Sequence, residues 1–232
     1  MDDLRNPTIV LFALVAAAHL VALGFEIGPL AFLTKCALAP LLAFWILQNN
    51  GPTILVLALT ACFFGDLFLE FNNDVWFLIG MGAVAVAHIA FVTYFAQDGA
   101  FGRLVERWWI AAALLAIAVV VFGFILAKLD LVLQIAVPIY ALLLITTASL
   151  ALVTDVRVGI GALLFLFSDT LIALRIAEVV DRNSTTASLV VMATYITAIF
   201  LLATGLTAHA ADASTPDSTS THTNGTTVPE TT

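Results

Sequence analysis

Six ionisable side chains lie in stretches of sequence that are otherwise almost wholly apolar: Lys35, Asp66, Glu70, His88, Asp169 and Arg175. An ionisable residue near the centre of a membrane span costs about 2.5–3.5 kcal/mol on insertion scales. Even with half of these near an interface, the gross cost is on the order of 10 kcal/mol, comparable to the whole stability of a typical domain. Pairing recovers part of that cost, and a function that needs buried charge explains the rest. Residues of this kind mark substrate pathways, ion pathways and proton relays. Asp66 and Asp169 are the hardest to assign to structure alone.

Spacing sorts the others. Glu70 lies four residues beyond Asp66, so the two share a helix face. Glu70 and Glu178 also fall at helix ends, where an interfacial role is expected. Asp169 and Arg175 are six residues apart, about 240° around a helix, and are not direct neighbours. Arg175 is therefore left to bind a substrate head group or to snorkel to the interface. A neighbouring carbonyl is expected to satisfy His19, and His88 has both a structural and a functional reading. Gly65, Gly80, Gly82 and Gly161 read as close-packing positions, and Pro40 and Pro138 as helix kinks. Cys36 and Cys62 lack metal-type spacing and read as small buried hydrophobes.

The elements that must position these residues follow from composition. Of the 232 residues, 62% are hydrophobic and only 10% are charged. Soluble domains are usually about half apolar and about a quarter charged, so lipid must be the solvent for much of this surface. Backbone groups in lipid must bond within their own segment, which makes the apolar runs helices. The expected fold is an all-α, polytopic membrane bundle of about eight transmembrane helices. Run lengths place the spans at roughly 7–24, 28–47, 52–71, 75–96, 108–127, 130–153, 158–178 and 185–208. The first run is too long for a signal-peptide core and reads as a span. Trp45, Trp76, Trp108 and Trp109 fall near helix ends, as an interfacial belt requires.

A transmembrane domain over 1–208 is followed by a Ser/Thr-rich segment, 209–232, that lacks the apolar residues to bury a core and is expected to be disordered. Arg5, Arg103, Arg107 and Arg157 lie on the N-terminal side, against Lys128 and Arg182 on the other. That asymmetry places the N-terminus and the tail in the cytoplasm, with a cell membrane as the expected location. A net charge of -8 argues against nucleic-acid binding. Oligomeric state is not legible.

The depths of the polar residues agree. Lys35 lies about a third of the way in from the side where the second span begins. Asp66 lies about a turn and a half from the end of the third, on that same side. Asp169 is near mid-span and Arg175 nearer that side again. Tyr140 and Tyr195 enter from it and reach mid-depth. One polar pocket in the non-cytoplasmic half of the bilayer is expected. The runs Phe64-Gly65-Asp66-Leu67-Phe68-Leu69 and Phe167-Ser168-Asp169-Thr170-Leu171-Ile172 also echo one another in spans four apart, which suggests a four-plus-four internal repeat.

Read in order, the Lys35…Pro40 stretch, Gly65-Asp66-Leu67-Phe68-Leu69, Phe77-Leu78-Ile79-Gly80-Met81-Gly82 leading to His88, the run from Gly161 to Ser168-Asp169, and Tyr195 form a series. It resembles the YhhN-like family of membrane lysoplasmalogenases over about residues 25–207. Cys36 follows the lysine where the family usually has Pro. Ile196 and Ile199 follow Tyr195 where the last helix usually carries a paired Tyr and a Gln. The resemblance implies hydrolysis of the vinyl ether bond of a lysoplasmalogen in the bilayer, giving a fatty aldehyde and glycerophospho-ethanolamine or -choline, with water as co-substrate and no cofactor or metal. It implies Asp66 and Asp169 as the carboxylic acid and carboxylate, a division like that of glycosidases. Lys35 and Arg175 would hold the substrate phosphate, and His88, Tyr140, Ser168 and Tyr195 would orient water or the glycerol hydroxyl.

Two other classes compete. A small-solute or proton-coupled transporter also uses embedded Asp, Glu and His, and a repeat suits alternating access. A metal-dependent hydrolase would use Asp66, Glu70, His88 and Asp169, although zinc sites usually lean on more His or Cys. A retinal photoreceptor is disfavoured because the last span has no lysine for a Schiff base.

Overall fold

The computed structural model describes residues 6–71 and 73–214. Polar caps interrupt its apolar runs and set where helices begin. Asn6 accepts a hydrogen bond from the Thr8 N–H at 2.9 Å and opens α1 (Pro7–Gly24). Asn73 accepts from Val75 at 2.8 Å and opens α4 (Asp74–Gln97). Asp130 caps α7 (Leu131–Leu152) through Leu133, and Asp155 caps α8 (Val156–Ile176) through Arg157 and Val158. Each cap satisfies N–H groups that the first helical turn leaves unpaired. Between them lie α2 (Gly28–Gln48), α3 (Thr53–Phe68), α5 (Ala100–Glu106), α6 (Trp109–Ile125) with a 3₁₀ turn at Leu126–Lys128, and finally α9 (Thr185–Ser214). Pro40 and Pro138 sit inside α2 and α7.

The chain is an all-helical, multi-pass membrane bundle. Among the described residues, α1, α2, α4, α6 with its 3₁₀ turn, α7, α8 and α9 are long and apolar enough to cross a membrane, which makes seven. The eighth expected span, α3, is apolar but has only 16 residues. It reaches about 24 Å at 1.5 Å per residue, against a hydrocarbon layer of about 30 Å. The expected break at 97–107 contains a short helix, α5, introduced by Gly99 with a left-handed φ of 73°. Glycine adopts that backbone without steric cost. The segment expected to be disordered from residue 209 is helical as far as Ser214. Half of residues 209–214 are alanine, the best helix former, so α9 continues beyond its apolar core. Residues 215–232 lie outside the described residues.

The chain starts α1 at what we call the near face. α3 and α8 run toward the far face, and α2, α4, α7 and α9 run back. The near half is packed solid by the fully buried Leu42, Ile46, Leu55, Leu59, Phe91, Phe95, Leu150 and Leu202. The near face is also tied by a polar cluster. The Arg103 guanidinium donates to the Asp98 carboxylate and carbonyl, to the Val153 carbonyl and to the Thr154 hydroxyl, while His209 Nε2 lies 2.9 Å from the other Asp98 oxygen. Burial opposes ionisation of Asp98, but Arg103 and His209 outweigh it and hold the carboxyl below the usual range. The ends of α4, α7 and α9 are thus fastened together. Leu14, Leu57, Val119, Phe124 and Ile139 stay exposed on outer faces, as lipid-facing positions require.

Close packing brings α3 to α4 and α8 to α9. A methyl group added at Gly65 would collide with Val84 Cγ2. One added at Gly161 would lie 2.9 Å from Leu201 Cβ and 3.1 Å from the Ala198 carbonyl. Gly80 is similarly tight, with Leu69 Cγ at 2.8 Å from such a methyl. Gly82 differs from the expectation, since nothing lies within 4 Å of the same position.

Candidate active site

The far half holds a cavity of about 400 Å³ between the far-face ends of α1, α2, α3, α4, α8 and α9. Its size suits a small-molecule site. Lys35, Asp66, Ser168, Asp169, Arg175 and Tyr195 all line it, together with apolar groups such as Phe77, Val84, Phe165, Ile172 and Met192. Gly65 and Gly161 let the helices approach, and the echoing Gly65-Asp66 and Ser168-Asp169 pairs reach the same cavity on α3 and α8.

Each aspartate is held by a tyrosine from another helix. The Tyr195 hydroxyl of α9 donates to Asp66 Oδ2 at 2.7 Å. The Tyr140 hydroxyl of α7 donates to Asp169 Oδ2. In each carboxyl group Oδ1 makes no hydrogen bond among the described residues. Two carboxyl groups therefore share a cavity, each with one oxygen fixed and one available. A fixed oxygen orients the group, and an available one can give or take a proton in a reacting geometry.

The other expected site residues take different places. Ser168 lines the cavity, but its hydroxyl donates to the Val191 carbonyl at 3.0 Å and so ties α8 to α9. Tyr140 reaches the site through Asp169; its ring lies against a separate apolar groove between α4 and α7. His88 is not among the cavity-lining residues. It is buried edge-on to Phe165, with ring centroids 4.6 Å apart, and edge-on to Tyr140 at 6.2 Å. Its Nδ1 lies 3.1 Å from the Thr147 hydroxyl, which donates to the Leu143 carbonyl. With that proton committed, His88 Nδ1 must be the donor. His88 thus braces the Tyr140 ring from behind. Asp66, Glu70, His88 and Asp169 form no metal-holding group among the described residues.

At the cavity's outer end Lys35 Nζ pairs with Glu70 Oε2 at 3.2 Å; the lysine side chain is 15% exposed and the glutamate 43%. Glu70, at the helix end expected to be interfacial, therefore also lines the cavity. Only its four-residue spacing from Asp66 hinted at this. Arg175 donates to the Arg182 carbonyl, and Arg182 to the Ile176 carbonyl at 2.7 Å. Arg182 and His19 line the cavity without having been singled out for it. His19 does find the expected carbonyl, with Nδ1 3.0 Å from Ala31 O.

The YhhN family model matches residues 30–206. No curated protein and no solved structure matches the chain. The family match runs from α2 into α9 and takes in every polar residue of the cavity except His19. On that match the chain belongs to the YhhN family.

Proposed function

We propose that this protein hydrolyses the vinyl ether bond of a lysoplasmalogen within the membrane. The observation that carries the reading is the pair of carboxyl groups, Asp66 and Asp169, each oriented by a tyrosine hydroxyl at one far-half cavity. Vinyl ether hydrolysis needs one carboxyl protonated and one ionised. Two carboxyl groups that share a site away from water favour that mixed state. The protonated group gives its proton to the alkenyl carbon distal to the ether oxygen, and the carbon bonded to oxygen becomes an oxocarbenium centre. The ionised group takes a proton from water as the water oxygen bonds to that centre. The group that gave the first proton, now ionised, takes the hemiacetal hydroxyl proton as the carbon–oxygen bond to glycerol breaks. Fatty aldehyde leaves, and the other group gives the proton it took from water to the glycerol oxygen. One water is consumed and both carboxyl groups return to their starting states.

The surroundings support a lipid substrate. Apolar groups such as Ile172, Val191 and Met192 line the cavity and suit a hydrocarbon chain. Lys35 and Arg175 lie on the interface side of the carboxyl pair, where they guide the phosphate. Tyr140 and Tyr195 hold the carboxyl groups themselves, beside the water-orienting part that the resemblance implied for them.

Aldehyde release from a vinyl-ether lysolipid by purified protein in deuterium oxide tests this reading. One solvent-derived deuterium is expected at the aldehyde carbon next to the carbonyl, and no turnover is expected of the saturated ether analogue. Aldehyde without that deuterium contradicts protonation at carbon. Solute or ion flux in liposomes with no aldehyde favours the transporter reading.

A further inference from the structure

A second cavity of about 430 Å³ opens on the far face beside the first. Leu69, Phe77, Ile176 and Arg182 line both, so the two share walls. The inner cavity reaches the aspartates, whereas the outer one is rimmed by Asp74, Lys128, Asp130 and Arg182. None of those four has a part in the reaction described above.

Their commitments differ in a way that matters for an anion. Inside, Lys35 is already paired with Glu70 at 3.2 Å. Outside, Lys128 makes no hydrogen bond or ion pair among the described residues. Arg182 uses one guanidinium nitrogen on the Ile176 carbonyl and a loose 3.6 Å contact to Glu178, and its side chain is 57% exposed. Depth points the same way. Lys128 closes the 3₁₀ turn between α6 and α7 and Arg182 lies between α8 and α9, both in far-face connections. Lipid phosphates sit in the interfacial layer outside the hydrocarbon, level with these connections. Lys35 lies deeper, within α2.

We propose that the outer pocket seats the phosphodiester head group of the substrate, with Lys128 and Arg182 binding the phosphate as Lys35 and Arg175 guide it past. Asp74 and Asp130 balance the two cations, so a zwitterionic head group leaves no net charge unmatched. Asp130 caps α7 with Oδ1 and keeps Oδ2 for an ammonium group. The identity of the lipid rests on the hydrolase reading; the phosphate site is tested apart from turnover.

The test is calorimetric binding to the full chain, purified in detergent as wild type, Lys128→Gln, Arg182→Gln and the conservative Lys128→Arg. Three probes are titrated: the saturated ether analogue of an ethanolamine lysoplasmalogen, the matching alkylglycerol without phosphate, and water-soluble glycerophosphoethanolamine. Wild type is expected to bind the phosphate-bearing lipid about 10- to 100-fold more tightly than the alkylglycerol. Each glutamine variant is expected to cut that ratio at least about fivefold, and Lys128→Arg to keep most of it. Glycerophosphoethanolamine is expected to compete for wild type, which locates the effect in the head group and not in the tail. Equal wild-type affinity for the two lipids overturns the proposal without any variant, as does a ratio that survives in both glutamine variants. A ratio that collapses only in the glutamine variants, while wild type releases no aldehyde from the vinyl-ether lipid, supports the pocket and sinks the hydrolase reading. Aldehyde release with an intact ratio does the reverse.

Discussion

A carboxyl group that hands a proton to carbon must face its target in one orientation. At Asp66 and Asp169 the tyrosine hydroxyls occupy Oδ2 and fix each group, as the proposed reaction would require. Tyr195→Phe and Tyr140→Phe keep the ring packing and remove only the donor. Each substitution is expected to lower kcat about 10- to 100-fold, the range for a lost hydrogen bond to an ionisable group, with KM within about threefold. Steady-state aldehyde release checks this, and an unchanged kcat in both variants contradicts the orienting role. The aspartates and Lys35 were legible in the sequence because ionisable residues in apolar runs are costly and rarely kept without use. The tyrosine contacts were not, since Tyr195 and Asp66 are 129 positions apart and only helix packing brings them together. The placing of His88 was not legible for the same reason, because its neighbour Thr147 lies on another helix.

Among the helices, α3 is the one whose shape bears most on the site. It is short, ends just after Asp66, and lies against α4 through Gly65. That closeness fixes how far Asp66 enters the cavity. Gly65→Ala forces a methyl against Val84 and is expected to destabilise the protein by about 1–3 kcal/mol, read as a lower midpoint of thermal unfolding in detergent. Gly82→Ala meets open space and is expected to stay within about 0.5 kcal/mol or gain slightly, since alanine favours helix. A Gly65→Ala midpoint no lower than that of Gly82→Ala contradicts the close-packing account. Apolar run length gave most helix positions because lipid leaves the backbone few alternatives. It missed α5, whose seven residues sit in a polar connection, and it cut α9 at the end of its apolar core although alanines carry the helix on to Ser214.

The whole molecule divides by depth. Large side chains fill the near half, and Asp98, Arg103 and His209 fasten its face. The far half is hollow, and its polar groups converge from five helices. On the proposed hydrolase reading, a lysolipid would keep its tail among apolar groups while its ether bond met the carboxyl pair and its head group stayed near the interface. The convergence of depths was legible from the sequence alone, because helix direction alternates and each residue's distance from a helix end fixes its level. The packed near half was not, because apolar side chains that fill a core and those that face lipid look alike in sequence. The most direct measurement of the central claim is the rate of aldehyde release from a vinyl-ether lysolipid by Asp66→Asn and Asp169→Asn, with elution profile and unfolding midpoint confirming folded protein. The account predicts losses of at least about 100-fold in each, the lower range for removing a general acid or base. Full activity in both variants would contradict it.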